Sequence, residues 1–236
     1  MALSEKNPMV VAHILIWMVL VLLISSSITV SDATETDIAC LKSIKASLVD
    51  PNNYLNTTWD FSNNTEGFIC RFMGVECWHP DENRVLNIRL SDLGLKGKFP
   101  LGIKNCTSLT GLDLSHNKLF GSIPANISKI IPFVTSLDLS FNNFSGEIPH
   151  DLANCTYLND LELDNNRLTG NIPLEFGLLS RIKVFTVTNN LLSGPIPTFL
   201  HANIPADSFA NNTDLCGKPL KPCPAVRRKS LADESL

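Results

Sequence analysis

The sequence lacks a basic excess: its formal net charge is -4, which gives a nucleic acid no electrostatic reason to bind. It also lacks a glycine-rich phosphate loop, a nucleophile elbow and the kinase signatures, so no catalytic residue and no cofactor is expected, and an enzyme is not. The histidines, His13, His79, His116, His150 and His201, never fall at ligand spacing with a cysteine pair, which argues against a zinc site. Long apolar runs are scarce too. Residues 9–24 are mostly apolar but fall short of the roughly 20 needed to span a bilayer comfortably.

What is present is the composition of a folded chain, 236 residues with 44% apolar and 18% charged. The apolar stretch near the start is followed by "SSSITVSDA", in which Ser31 and Ala33 are small enough for a signal-peptidase site. Residues 1–33 therefore read as a secretory signal, with a retained membrane anchor as the alternative. N-x-S/T sequons at Asn56, Asn63, Asn105, Asn126, Asn143, Asn154 and Asn211 point the same way. Chance would supply about one or two. The expected compartment is the secretory pathway and then the extracellular space, or the outer face of the plasma membrane if the anchor stays.

The dominant signal is repetition. "LDLSHNKLFGSIP", "LDLSFNNFSGEIP" and "LELDNNRLTGNIP" follow one another, and the first apolar position of each copy falls at Val85, Leu109, Val134, Leu158 and Ile182, a period of 24 residues with one step of 25. Apolar residues recur at the first, fourth and sixth places, and the fourth-to-sixth alternation is that of a strand with one buried face. Asn117, Asn142, Asn166 and Asn190 hold the ninth place, where an amide can satisfy turn backbone groups through both its ends. The first repeat has Leu93 there. Glycine and then proline close each copy and fix a tight change of direction.

The pattern "LxGxIP" resembles the plant extracellular leucine-rich repeat. That resemblance implies an α/β repeat solenoid: a short, curved plant-type array with a parallel sheet on its concave side and irregular or 3₁₀ segments on its convex side. Five repeats over residues 85–203 are expected, closed by an N-terminal cap over 34–84 and a C-terminal cap over 204–224, with 225–236 as a disordered tail. Ile38, Leu41, Ile44 and Leu48 mark one face of a capping helix that stops at "DPNN". Trp59, Phe68 and Trp78 are expected to fill the gap between that helix and the first strand.

In an oxidising compartment, Cys70 with Cys77 and Cys216 with Cys223 can each close a small loop, worth about 2–3 kcal/mol. Cys106 and Cys155 stand two repeats apart, about 10 Å on the strand spacing, beyond disulfide reach. Both positions are apolar in other repeats, so both read as core thiols, and Cys40 as a buried free thiol.

The fifth place of successive repeats reads Arg89, Asp113, Asp138, Glu162 and Thr186. Neighbours in such a column stand about 5 Å apart, close enough for like charges to raise one another's pKa. Acid catalysis is one use for it and attraction of a basic partner a better one. Aspartate in "LDLS" is also simply the consensus of the repeat it resembles. Phe120 and Phe141 are expected to be exposed and either anchor a partner or pack on a neighbouring turn. The partner-binding set is Arg89, Asp113, His116, Phe120, Asp138, Phe141, Glu162 and Asp164. The concave positions carry no sequon, whereas Asn105, Asn126 and Asn154 fall on the convex half, so the sheet is left bare for another protein.

A finer resemblance spans the array. "DPNNYLNTTWDF", "TEGFICRFMGVECWHPDENRVLNIRLSDLGLKGKFP", "NCTSLTGLDLS" and "ADSFANNTDLCGKPL" look like the ectodomain of plant inactive receptor-like kinases that interact with somatic-embryogenesis receptor kinases. The resemblance implies a non-catalytic module that binds a co-receptor ectodomain and restrains immune and growth signalling. After Cys223 only "PAVRRKSLADESL" follows, so membrane residence and a pseudokinase are not carried over. A secreted inhibitor of a microbial wall-degrading enzyme, or a truncated receptor-like kinase product without activity of its own, are the competing readings.

Overall fold

The computed structural model describes residues 35–63 and 65–224, together with Trp17. Apart from Trp17, the expected leader lies outside the described residues, as does the tail. Helix α1 runs through residues 35–47 and buries Asp37, Cys40, Leu41 and Ile44, followed by Leu48, which is the i, i+3, i+4 spacing of one helical face. A one-turn helix, α2 (Tyr54–Thr58), follows. Its first turn is held by Asp50, whose Oδ2 accepts from Leu55 N at 2.7 Å.

The repeats then wind two sheets. The concave sheet begins with β1 (Val75–Cys77), antiparallel to β2 (Val85–Arg89), and continues in parallel through β4 (Gly111–Asp113), β6 (Ser136–Asp138), β8 (Asp160–Glu162) and β10 (Val184–Thr186). A second sheet of β3 (Lys96–Gly97), β5 (Lys118–Gly121), β7 (Asn143–Glu147), β9 (Arg167–Gly170), β11 (Leu191–Pro195) and β12 (Asp214–Cys216) runs beside it. The remaining side carries 3₁₀ turns at Leu101–Asn105, His150–Asn154 and Leu174–Leu178, with a short helix, α3 (Ile127–Ile130), in the same place of the third repeat.

The convex side carries the expected 3₁₀ turns, and before them the residues after each ninth-place asparagine pair in parallel as the second sheet. The concave sheet has one strand more than the five repeats supply, since the N-terminal cap contributes β1.

Leucines, isoleucines and phenylalanines from all three sides fill one continuous core. Asparagines stitch its turns. The Oδ1 of Asn142 accepts from Leu119 N at 2.9 Å while its Nδ2 donates back to Leu114 O at 2.9 Å, one repeat earlier. Asn117, Asn166 and Asn190 repeat the arrangement. Asn212 extends it into the C-terminal cap, accepting from Leu192 N and donating to Val187 O.

The disulfides Cys70–Cys77 and Cys216–Cys223 form as the spacing suggested. Cys40 and Cys106 are not free thiols. They bond to each other across 66 residues, with Cα atoms 5.5 Å apart. The reason is that α1 lies directly on the first 3₁₀ turn, so tightly that a Cβ on Gly102 would run into the Ser43 side chain. Cys155 stays free and buried, and burial, with Asp151 adding, pushes its thiol up to about 12.

Trp59 and Phe68 are buried in the cap, with Trp59 stacked on Phe72 at 5.8 Å. Trp78 is not: it is 45% exposed, with the Arg84 guanidinium over its ring at 5.3 Å. The core between cap and first strand is already filled by Phe72 and Ile69.

Candidate protein-docking face

The strand register builds the site. Arg89 pairs with Asp113, Asp113 with Asp138, Asp138 with Glu162, and Glu162 with Thr186, so the fifth-place residues form one straight column on the open concave sheet. Its basic end is already engaged. Arg89 Nη1 lies 3.0 Å from Glu76 Oε2 on β1, and Asn87 Nδ2 donates to the same oxygen at 2.9 Å. The acidic remainder is left facing out.

Two of those carboxylates are fixed locally. Asp113 Oδ1 accepts from Ser115 N and Oγ at 2.9 and 2.7 Å, and Asp138 Oδ1 accepts from Ser140 N at 2.9 Å. Glu162 has its pKa raised, first by burial and then by Asp138, Asp164, Asp160 and Asp113 around it. Burial also raises Asp164, against the opposing bond from Asn165 Nδ2. Uncompensated negative charge thus concentrates around the third and fourth repeats, where a cation from another molecule would be most welcome. Among the described residues, no group of three or more His, Cys, Asp and Glu side chains could hold a metal ion.

One rim of this face is the eighth place, where the chain leaves the sheet. Asp92, His116, Phe141, Asn165 and Asn189 all have φ between 50° and 57°, the left-handed region. A phenylalanine there is unusual, since a bulky side chain disfavours this backbone. Its ring, 43% exposed, stacks on His116 at 4.1 Å and 12°. Both readings of Phe141 therefore meet in one residue: it packs on the neighbouring turn and still offers a ring face to solvent.

The opposite rim was missed by sequence reasoning. The place just before each first apolar position reads Arg84, Ser108, Phe133, Tyr157 and Arg181. Trp78 joins it, donating from Nε1 to Ser108 O at 3.3 Å. Phe133 and Tyr157 have ring centroids 6.1 Å apart, and Arg181 lies 5.3 Å over Tyr157. Exposed aromatics and arginines are the residue types that carry binding energy at interfaces. The signal was available once the period was set, but these residues flank the strand and not its consensus.

Phe120 does not belong to either rim. It is 47% exposed on the second sheet, and its Cα partner across the strands is Asn143. The structure thus brings Asp113, His116, Asp138, Phe141, Glu162 and Asp164 together, ties Arg89 to Glu76, and sets Phe120 apart.

A stack of parallel short strands and 3₁₀ turns closed by asparagine ladders defines a leucine-rich repeat solenoid. Family profiles agree: "Leucine rich repeat N-terminal domain" matches residues 34–78, and "Leucine Rich Repeat" matches 108–130, 133–155 and 157–179. An Arabidopsis thaliana leucine-rich repeat receptor-like protein kinase is 52% identical over 205 residues, 86% of this chain and 33% of that relative. The inactive LRR receptor-like serine/threonine-protein kinase BIR2, from the same plant, is 50% identical over 129 residues, covering 55% of this chain and 21% of its own length. This chain thus spans a third or less of these two curated relatives.

Solved structures match more fully. The BIR2 ectodomain of A. thaliana superposes with a TM-score of 0.77 at 50% identity, over 80% of this chain and 98% of that one. A chain of the A. thaliana BIR3–SERK2 complex gives 0.75 at 42% identity, over 80% and 100%. The chain belongs to the leucine-rich repeat family of inactive receptor-like kinase ectodomains that includes BIR2. Among the described residues, no helix is long and apolar enough to cross a membrane.

Proposed function

We propose that this chain is a non-catalytic extracellular module that docks the ectodomain of a plant co-receptor kinase of the SERK type and so regulates receptor-kinase signalling. The observation that carries it is the register-aligned acidic column Asp113, Asp138 and Glu162 on an open sheet, bordered by an aromatic rim on each side. Such a face attracts and orients a basic protein surface, while the rims supply apolar contact. The match to a chain crystallised in a BIR3–SERK2 complex supports a partner of that class. His116, Phe141 and Asp164 complete the contact set, and Arg89 acts by holding Glu76 rather than by meeting the partner. The site faces the apoplast, and its relatives' description as inactive kinases accords with a binding role.

The test is calorimetric titration of the glycosylated protein with the SERK2 ectodomain at about pH 5. Measurable binding is expected, weakened at least tenfold, or about 1.4 kcal/mol, by the double reversal Asp138→Lys with Glu162→Lys. No binding by the unaltered protein, or indifference to the reversal, overturns the proposal.

A further inference from the structure

We infer that Asn143 carries an N-linked glycan whose first N-acetylglucosamine rests on the ring of Phe120. The inference rests on the extracellular reading above, but not on the identity of any protein partner.

Phe120 and Asn143 are Cα partners on the adjacent parallel strands β5 and β7, and both side chains are exposed. Paired residues on neighbouring strands project to the same face, with Cβ atoms about 5 Å apart. A sugar ring leaving the Asn143 amide on that side therefore starts next to the phenylalanine. Phe120 is also out of place among its equivalents, which are Lys96, Ser145, Thr169 and Ser193. The one aromatic in the column stands beside the one sequon that begins a second-sheet strand.

The amide itself is ready. Among the described residues the Asn143 side chain makes no hydrogen bond. Three other sequon amides are engaged: Asn56 Nδ2 donates to Asn53, Asn154 Nδ2 to Asp151 and Asn211 Nδ2 to Asn189. Glycosylation joins the Asn143 amide nitrogen to C1 of the sugar, expels the pyrophosphate of the lipid-linked donor oligosaccharide of the secretory pathway and releases one amide proton. The apolar face of the pyranose can then cover the exposed ring, removing carbon surface of both from water.

The placement has a directional result. Asn143 is two residues from Phe141 on the concave rim, so a glycan free to swing would sweep across that rim. Resting on Phe120, it lies over the second sheet instead and leaves His116 and Phe141 open.

A thermal double-mutant cycle tests this on the full chain secreted from eukaryotic cells, with Phe120→Ala, Asn143→Gln and the pair, each also trimmed by endoglycosidase to single N-acetylglucosamine stubs. Peptide mass spectrometry is expected to show Asn143 occupied. Phe120→Ala should lower the Tm of the glycosylated and the trimmed protein, and leave the Asn143→Gln background unchanged. In NMR spectra, the acetyl methyl of one sugar should move upfield in the ring current of Phe120 and return in Phe120→Ala. An unoccupied Asn143, additive Tm changes, or an acetyl signal indifferent to Phe120 overturns the inference.

Discussion

Cys40 and Cys106 tie the capping helix to the first 3₁₀ turn of the array, closing a loop across 66 residues. This is the longest loop among the disulfides, and on the chain-entropy account it restrains the unfolded chain most, by about 4 kcal/mol. The double change Cys40→Ser with Cys106→Ser is expected to destabilise by up to about 4 kcal/mol in urea unfolding. Cys155→Ala, which breaks no covalent link, should cost well under half of that.

Asp37 sits in α1 with its Oδ2 accepting from Val85 N at 3.2 Å and its buried Oδ1 without a partner. Burial, opposed by that bond and by Arg84, raises its pKa from 3.8 to about 6. The folded state thus holds a proton that the unfolded chain has released, so stability falls as pH rises from about 4 to about 6. Melting curves should show that fall, and Asp37→Asn should flatten it. An unchanged slope in the variant would assign the dependence to other groups.

The same sign applies to Glu162, whose pKa burial and its acidic neighbours raise. Its ionised form is the unfavourable one in the fold. Glu162→Gln is expected to raise Tm near neutral pH, with the gain disappearing once the wild-type side chain is protonated in acid.

Asn142 serves both turns at once, and its amide is buried. Asn142→Ala strands Leu119 N and removes a donor from Leu114 O, at a cost of about 2–4 kcal/mol in denaturant unfolding. Glu147→Gln, on the exposed side of the same repeat, should stay within about 0.5 kcal/mol of wild type.

Phe141→Asn separates folding from docking. Asn165 and Asn189 already occupy the eighth place in the same left-handed conformation, so the backbone accepts the change. Tm should hold or rise slightly, while affinity for the SERK2 ectodomain falls several-fold with the loss of the ring.

How much of this was legible depended on whether a residue repeats. Leu112, Leu137 and Leu161 recur at a fixed interval and are buried as their period requires, and Asp113, Asp138 and Glu162 stand in the column that the alignment drew. Cys40 has no counterpart in the repeats, so nothing along the chain said that α1 would lie over Cys106. Asn212 was hidden for a related reason. The fourth place of its turn is Asp207, and a 3₁₀ turn at Ala206–Phe209 stands where a strand would be. Phe120 was seen as an exposed aromatic, but its position relative to Asn143 depends on a cross-strand register that one repeat does not contain.

That 3₁₀ turn also has a consequence for the length of the molecule. It meets the last concave strand with hydrogen bonds from Val187 N to Ser208 O and from Asn189 N to Ala210 O, while β1 runs against the direction of the strands at the other end. In the concave sheet neither end offers the parallel template on which another unit could stack. A longer relative of this protein is therefore reached by duplication inside the array, with one more turn spliced between existing repeats, and two copies set end to end would not join into a continuous sheet.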